Sequence, residues 1–294
     1  SISETLVVNF EEKRPILYIL AIGPEYKKHN HVSRLTYTKN DAEAFVGAFQ
    51  TQMGENRFFD TVIISKLIGA EATSHNIKLK VVEMANNAKA SQGKAMILTY
   101  ISSHGTVDDK GQFVVVAEDF TRLNEVTFVR YKEDIVDKLA TVKGSNRLIF
   151  IDACKSGAAN STDAVAMGSK SIDATLRTTY ISEKLDELIQ ASGFITFASC
   201  KSDEYSWEDV DWKNGAFTEA MLEAFNDIEV IIDNSGKKIK ADKDNDDILT
   251  IGEFIDFVRL RVPKMVQDTK KQPQNPIISE KEGLNMSMPF YLLD

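Results

Sequence analysis

Cysteine is scarce in this sequence: Cys154 and Cys200 are the only thiols among 294 residues. Two cysteines cannot build a disulfide framework, which points to a reducing compartment and to stability drawn from an ordinary core. A basic excess is missing too. Lys and Arg number 35 against 44 Asp and Glu, a net charge of −9, which argues against nucleic acid or an anionic membrane as the main partner. No apolar run approaches the roughly 20 residues of a membrane span. The opening Ser1-Ile-Ser-Glu4 lacks the basic and apolar regions of a secretory leader. A cytoplasmic location is therefore expected. Histidine is rare, with four in all, so imidazole chemistry has few candidates. What is present is ordinary for a globular protein, 43% hydrophobic and 27% charged. With no internal repeat and no domain-splitting linker, residues 1–294 are expected to form a single domain.

Strand-like and helix-like stretches alternate along the chain. Ile16 to Ile22, Thr61 to Leu67, Ala95 to Ile101, Leu148 to Ile151 and Phe194 to Ser199 read as strands. Helical patterns fall on Asp41 to Gln52, with Asn40 and Asp41 as a start signal, and on Asn76 to Ala88, Glu133 to Leu139, Ala216 to Phe225 and Ile251 to Val262. Phe113 to Ala117 reads as a hairpin arm, and Asn234-Ser-Gly236 as the turn of another hairpin. Residues 155 to 175 lack any period and read as a loop, and the tail from Gln272 as loosely structured up to an edge strand at Phe290 to Leu293. Repeated βα units imply a mostly parallel sheet covered by helices on both faces.

Two strand-like runs end in reactive residues. Met96 to Ser103 leads into His104-Gly105, and Arg147 to Ile151 leads into Asp152-Ala-Cys154-Lys-Ser-Gly157, with Cys154 fifty positions after His104. The carboxyl ends of strands are where open α/β sheets keep their ligands. If the two strands are neighbours, a thiol and an imidazole emerge on one edge of the sheet. That is the pairing a thiol nucleophile needs: a base to make the thiolate and carry its proton. Gly105, without a side chain, lets its N–H approach a bound carbonyl.

These motifs resemble those of the caspase-like cysteine peptidases, most closely the metacaspase and bacterial caspase-like branch. Ser102-Ser-His-Gly105 and Asp152-Ala-Cys-Lys-Ser-Gly157 are similar to the family's His-Gly and Asp-x-Cys-x-Ser-Gly signatures. Thr38-Lys-Asn-Asp-Ala42 is similar to a Cys-x-Asn-Asp-Ala turn, with Thr38 in place of the Cys. Tyr205-Ser-Trp-Glu208 and Asn214-Gly-Ala-Phe-Thr218 match two further segments. The resemblance implies a caspase-hemoglobinase-like α/β three-layer sandwich with about six strands in a mostly parallel central sheet. It also implies a cysteine endopeptidase in which Cys154 attacks, His104 is the acid–base partner, and the N–H groups of Cys154 and Gly105 receive the oxyanion.

The departures from the family bear on specificity. Where caspases place a Gln and an Arg around a substrate aspartate, this sequence has Asp152 and Glu208. Asp41 and Ser102 match the acidic and hydroxyl positions that metacaspase-like enzymes use in the same pocket, and Trp207 would form its apolar wall. Reversed charge implies cleavage after Arg, and secondarily Lys, in a protein or peptide substrate. A catalytically silent scaffold or regulatory partner is the alternative reading, and a Cys–His transpeptidase a second one. The loop after Cys154 carries Lys170 and Arg177, candidate sites of processing.

No cofactor is required by a Cys–His pair, and no metal ligand is assigned. Calcium is the one ion the sequence leaves open. Asp242 to Glu253 has acids at positions one, three, five and twelve of a calcium loop, but Asp247 stands where such loops need glycine, and a hairpin precedes it. Thr250-Ile-Gly-Glu253 is expected to act instead as a capping box. Glu118-Asp119 with Glu133-Asp134 loosely resembles a metacaspase calcium site.

Overall fold

The structure is a computed structural model that describes residues 14–27, 32, 34–54, 56–91, 95–153, 155–156, 195–201, 204–278 and 286–293. Six of its strands make the central sheet: β1 (Ile16–Gly23), β2 (Thr61–Ile68), β3 (Ala95–Ser102), β4 (Asn146–Asp152), β5 (Ile195–Ala198) and β6 (Ile277–Ile278). Their order across the sheet is β6-β5-β4-β3-β1-β2. All pairs are parallel except β6 on β5.

Alternation along each strand divides the core into two layers. Leu17, Ile19, Leu98, Tyr100, Leu148, Phe150 and Phe197 face one side, where α1 (Thr38–Gln50), α3 (Ala216–Phe225) and α4 (Ile251–Lys270) cover them. Tyr18, Leu20, Ile22, Ile97, Ile101, Ile149 and Ile151 face the other side, under α2 (Ser74–Ala90) and the turn of π-helix Tyr131–Val136. The first layer is rich in aromatic rings in edge contact, such as Phe197 on Phe217 at 5.0 Å between centroids. The result is a three-layer α/β sandwich, as expected. No helix among the described residues is long and apolar enough to cross a membrane.

Four readings of the sequence are revised. Helix α1 begins at Thr38, three residues before the expected start, and Tyr37 caps it without a side-chain bond. Asp41 is thus released from capping and turned to tertiary partners. Helix α4 runs through Pro263 to Lys270 rather than stopping at Val262. Proline forfeits one backbone bond, but Val262, Met265 and Val266 are buried in the first core layer on either side of it, and that burial carries the last two turns. The tail is ordered by β6 and by Gln274, which is fully buried. Strand Pro289–Leu292 pairs with Ile248–Thr250, away from the central sheet. Thr250 and Glu253 form the expected capping box. Of the expected loop at 155–175, Lys155–Ser156 is a short strand parallel to Tyr205–Ser206, and the rest, with Lys170 and Arg177, lies outside the described residues.

Candidate active site

The register of β3 on β4 sets the site. It places Ser102 opposite Asp152 at the carboxyl ends of adjacent parallel strands, and the Ser103 N–H extends the pairing to the Asp152 carbonyl at 3.0 Å. His104 follows two residues after Ser102. Cys154, two residues after Asp152, lies outside the described residues. Its neighbour Ala153 is buried, and the short strand at 155–156 leads away beside Tyr205–Ser206. A Cβ on Gly105 would collide with the Ala153 carbonyl oxygen and lie 2.7 Å from the Phe113 ring. Glycine is what lets the His104-Gly105 turn close on the chain that leads to Cys154.

His104 is held by a residue that sequence reasoning missed. Its N–H donates to the Tyr26 hydroxyl at 3.1 Å, and the two rings lie 5.1 Å apart at 33°. The Tyr26 hydroxyl in turn donates to the Val116 carbonyl at 2.6 Å, and Val116 N–H returns to the His104 carbonyl at 3.0 Å. Tyr26 takes φ +56°, a left-handed conformation uncommon for a bulky side chain. The Glu118 carboxylate stabilises it by accepting the N–H groups of Glu25 and Tyr26 at 2.9 and 2.8 Å. Burial pushes the Tyr26 phenol far up, so it stays a neutral hydroxyl. The only sequence signal was a tyrosine three residues beyond the end of β1.

Beside this edge is a narrow slot of about 30 Å³, open to solvent at its mouth, with acidic walls. Asp41, from the first turn of α1, accepts the Gly215 N–H at 2.9 Å on Oδ1 and the Ser102 hydroxyl at 3.0 Å on Oδ2. Asp152 accepts the Ser206 hydroxyl on Oδ1. Asp41 is 2% and Asp152 7% exposed, and among the described residues no Lys or Arg lines the slot. Desolvation, and then the charge of Asp152, hold the Asp41 carboxyl well above its usual range. Desolvation raises the Asp152 carboxyl to about 6, against the opposing pull of the Ser206 hydroxyl. Gly215 has φ −67° and ψ 148°, open to any residue. Its missing side chain matters for space: a Cβ there would stand 2.8 Å from Asp152 Oδ2 and 3.5 Å from Asp41 Oδ2.

Glu208 and Trp207 stand at the rim. The Glu208 carboxylate accepts the N–H groups of Thr36 and Tyr37 at 3.1 and 3.2 Å, so it anchors the loop before α1 as well as charging the slot. Trp207 lines the slot and also packs on the first core layer, edge-on to Tyr205. Cys200 is fully buried, its thiol directed to the Glu204 carbonyl at 3.6 Å.

One group of three carboxylates within ligand distance occurs among the described residues. Asp242, Asp244 and Asp246 offer oxygens within 4.8 Å of one another. Asp247 takes φ +64°, so the turn expected to need glycine is made by aspartate. Asp242 caps that turn by accepting the Asn245 and Asp247 N–H groups at 2.8 and 3.2 Å. A hairpin, Val230–Ile231 with Lys238–Ile239, precedes it, as expected. The other expected acidic set does not converge into such a group. Glu118 holds Tyr26, Asp119 takes the Ser74 N–H and hydroxyl at 2.7 and 2.9 Å, Glu133 takes the Gln112 amide at 2.8 Å, and Asp134 takes the Arg130 N–H at 2.8 Å.

The caspase domain family model matches residues 18–283. The crystal structure of caspase-1 from Spodoptera frugiperda superposes with a TM-score of 0.54 at 16% sequence identity, covering 100% of this chain and 96% of that one. A search of curated protein sequences gave no match. With a family match over most of its length and the fold that goes with it, the chain belongs to the caspase-domain family and is a cysteine-type endopeptidase, a hydrolase of protein substrates.

Proposed function

We propose that this peptidase cleaves after basic residues, Arg above Lys, using Cys154 and His104 as a dyad, in the manner of the metacaspase-like branch. The buried carboxylate pair carries the reading. Two acids held out of water, with no Lys or Arg among the described residues of their slot, are costly on their own, and a guanidinium entering the slot would supply the missing charge. In that poorly hydrated slot the attraction is several-fold stronger than in water. A planar guanidinium can also bond two carboxylates at once, which an ammonium does less well. Substrate aspartate would be repelled.

In the proposed reaction, His104 takes the thiol proton and Cys154 Sγ attacks the scissile carbonyl. The N–H groups of Cys154 and Gly105 receive the oxyanion. His104 then delivers the proton to the leaving amine, and the acyl-enzyme is hydrolysed by a water that His104 deprotonates. Tyr26 supports the imidazole through its ring and through the His104 N–H. Asp41, Asp152 and Ser102 hold the substrate cation, with Glu208 and Trp207 at the mouth.

Reporter peptides differing only in the residue before the cleaved bond test this. Arg is expected to exceed Lys, and both to exceed Asp by at least about 100-fold in kcat/KM; preference for Asp overturns the reading. The dyad uses no metal, so the rates are expected to be unchanged in a chelator. A second test addresses the floor of the slot. Gly215→Ala places a methyl between the two Oδ2 atoms. It should cut kcat/KM on the Arg reporter on the order of 100-fold, since displacing a bound group by about 1 Å has that effect. Undiminished cleavage would mean that the cation binds elsewhere.

A further inference from the structure

Gln274 belongs to the tail that sequence alone reads as loose, yet its side chain is fully buried and makes three hydrogen bonds. Its orientation is fixed by two partners that have no choice of role. The Trp207 N–H can only donate, and it reaches Oε1 at 2.9 Å. The Ser199 carbonyl can only accept, and Nε2 reaches it at 3.1 Å. The remaining Nε2 hydrogen points to Ser206 Oγ at 3.3 Å. A hydroxyl has one hydrogen to give. With its oxygen accepting from Gln274, Ser206 gives that hydrogen to Asp152 Oδ1. The bonds therefore run in one direction, from Gln274 through Ser206 to the carboxylate at the floor of the slot.

The tail is anchored to deliver this amide. Asn275, the next residue, has its N–H on Glu204 Oε2 at 2.6 Å and its side-chain amide on Glu204 Oε1. Two residues later β6 joins the central sheet, pairing Ile277 with Ala198 and Ile278 with Phe197. The antiparallel edge strand thus braces the Ser206-Trp207 segment.

We infer that Gln274 is a positioning residue for substrate specificity: through Ser206 it aims and stabilises the ionised Asp152 carboxylate that receives the substrate cation. Through Trp207 it also fixes the wall of the same slot. The inference rests on the reading of that slot as a site for basic residues. Of the other groups facing Asp152, the Ser199 hydroxyl pulls the same way as Ser206, less strongly, and the titratable ones give no such help. Asp41 from α1 and Glu208 at the rim are acidic, and Tyr100 from β3 is a buried phenol bonded to Thr218 at 2.5 Å. The Gln274–Ser206 pair is therefore a main source of donor character on that side.

The experiment compares wild type, Gln274→Leu, Ser206→Ala and the double variant on two reporters, one ending in Arg and one in its neutral isostere citrulline. Each single change is expected to reduce the Arg-over-citrulline preference roughly ten-fold, mainly through KM, the effect of one hydrogen bond to a charged group. The double variant is expected to be no worse than the poorer single one, because both break the same relay. The acidic limb of kcat/KM for the Arg reporter should move to higher pH in each variant, while the citrulline profile stays in place. Multiplying losses, or equal losses on both reporters, would show Gln274 to be a structural brace only and overturn the inference. If Gln274→Leu does not fold, Ser206→Ala alone decides: an unchanged preference overturns it. The two readings fail separately. A wild type without any basic preference defeats the slot reading, whereas a wild type that prefers Arg and variants that keep that preference defeat the relay alone.

Discussion

Cys154→Ala is expected to abolish hydrolysis of an Arg-terminated reporter, and His104→Ala to come close to doing so. In serine peptidases, removing one member of a nucleophile–base unit costs up to about 10⁶ in kcat, and removing two costs little more. The same non-additivity is expected here, with at least about a thousand-fold loss for each single variant and no further loss for the pair. A thiol at neutral pH is only slightly ionised, and the imidazole must both generate the thiolate and protonate the leaving amine. Cys200 is fully buried against the Glu204 carbonyl, so an alkylating reagent should mark Cys154 first and stop turnover as it does so. Cys200→Ala should retain cleavage. Substantial activity in Cys154→Ala would overturn the dyad and leave the fold assignment untouched.

Asp152→Asn is expected to trade substrate recognition for stability. The Asp152 carboxyl lies near 6 in the folded protein because burial penalises its charge, against about 3.9 in an unfolded chain. Below about pH 4 both states hold the proton and the residue's contribution is fully present. As pH rises through 4 toward 6 the unfolded chain loses its proton first, so folding stability falls, by about 3 kcal/mol once the folded group has also ionised. Asparagine keeps an acceptor for the Ser206 hydroxyl and removes that penalty. The variant should therefore be more stable than wild type above pH 7, with the two converging below about pH 4, as read by denaturant unfolding across pH. Its kcat/KM on the Arg reporter should fall by about 100-fold or more, the effect of removing one partner of a buried ion pair, with little change on citrulline. A variant that gains no stability at pH 8 and keeps its preference for Arg would count against the slot.

Much of the site was legible in the sequence because its signals are local. The apolar runs of β3 and β4 mark strands buried on both faces, and each ends abruptly at a polar residue, Ser102 and Asp152. Parallel pairing in register then puts the residues after each strand at one edge, as the alternation of strand and helix implied. The capping box at Thr250 and Glu253 was equally readable, since both partners lie within one helical turn.

The remainder depends on partners far apart in the chain. Tyr26 meets His104 across 78 positions, Trp207 meets Gln274 across 67, and Asp41 meets Gly215 across 174. Motifs marked Asp41, His104 and Trp207 as site residues, but no local pattern distinguishes Tyr26 or Gln274 from ordinary loop or tail positions. Asp41 read as a helix start because an acid there usually caps, but the buried Gly215 N–H and the Ser102 hydroxyl compete for it and win. Pro263 read as a stop because it lacks a donor, but burial of Val262, Met265 and Val266 outweighs one missing bond. The layered fold, the two strand ends and a carboxylate at residue 152 in place of a neutral amide were all legible in the sequence. What hydrogen bonds hold Asp41 and Asp152 in the pocket that the resemblance implied, that glycine at 215 leaves it open, and that the tail braces it came from tertiary packing, because hydrogen bonds to buried carboxylates are made by whichever groups the packed core brings within reach.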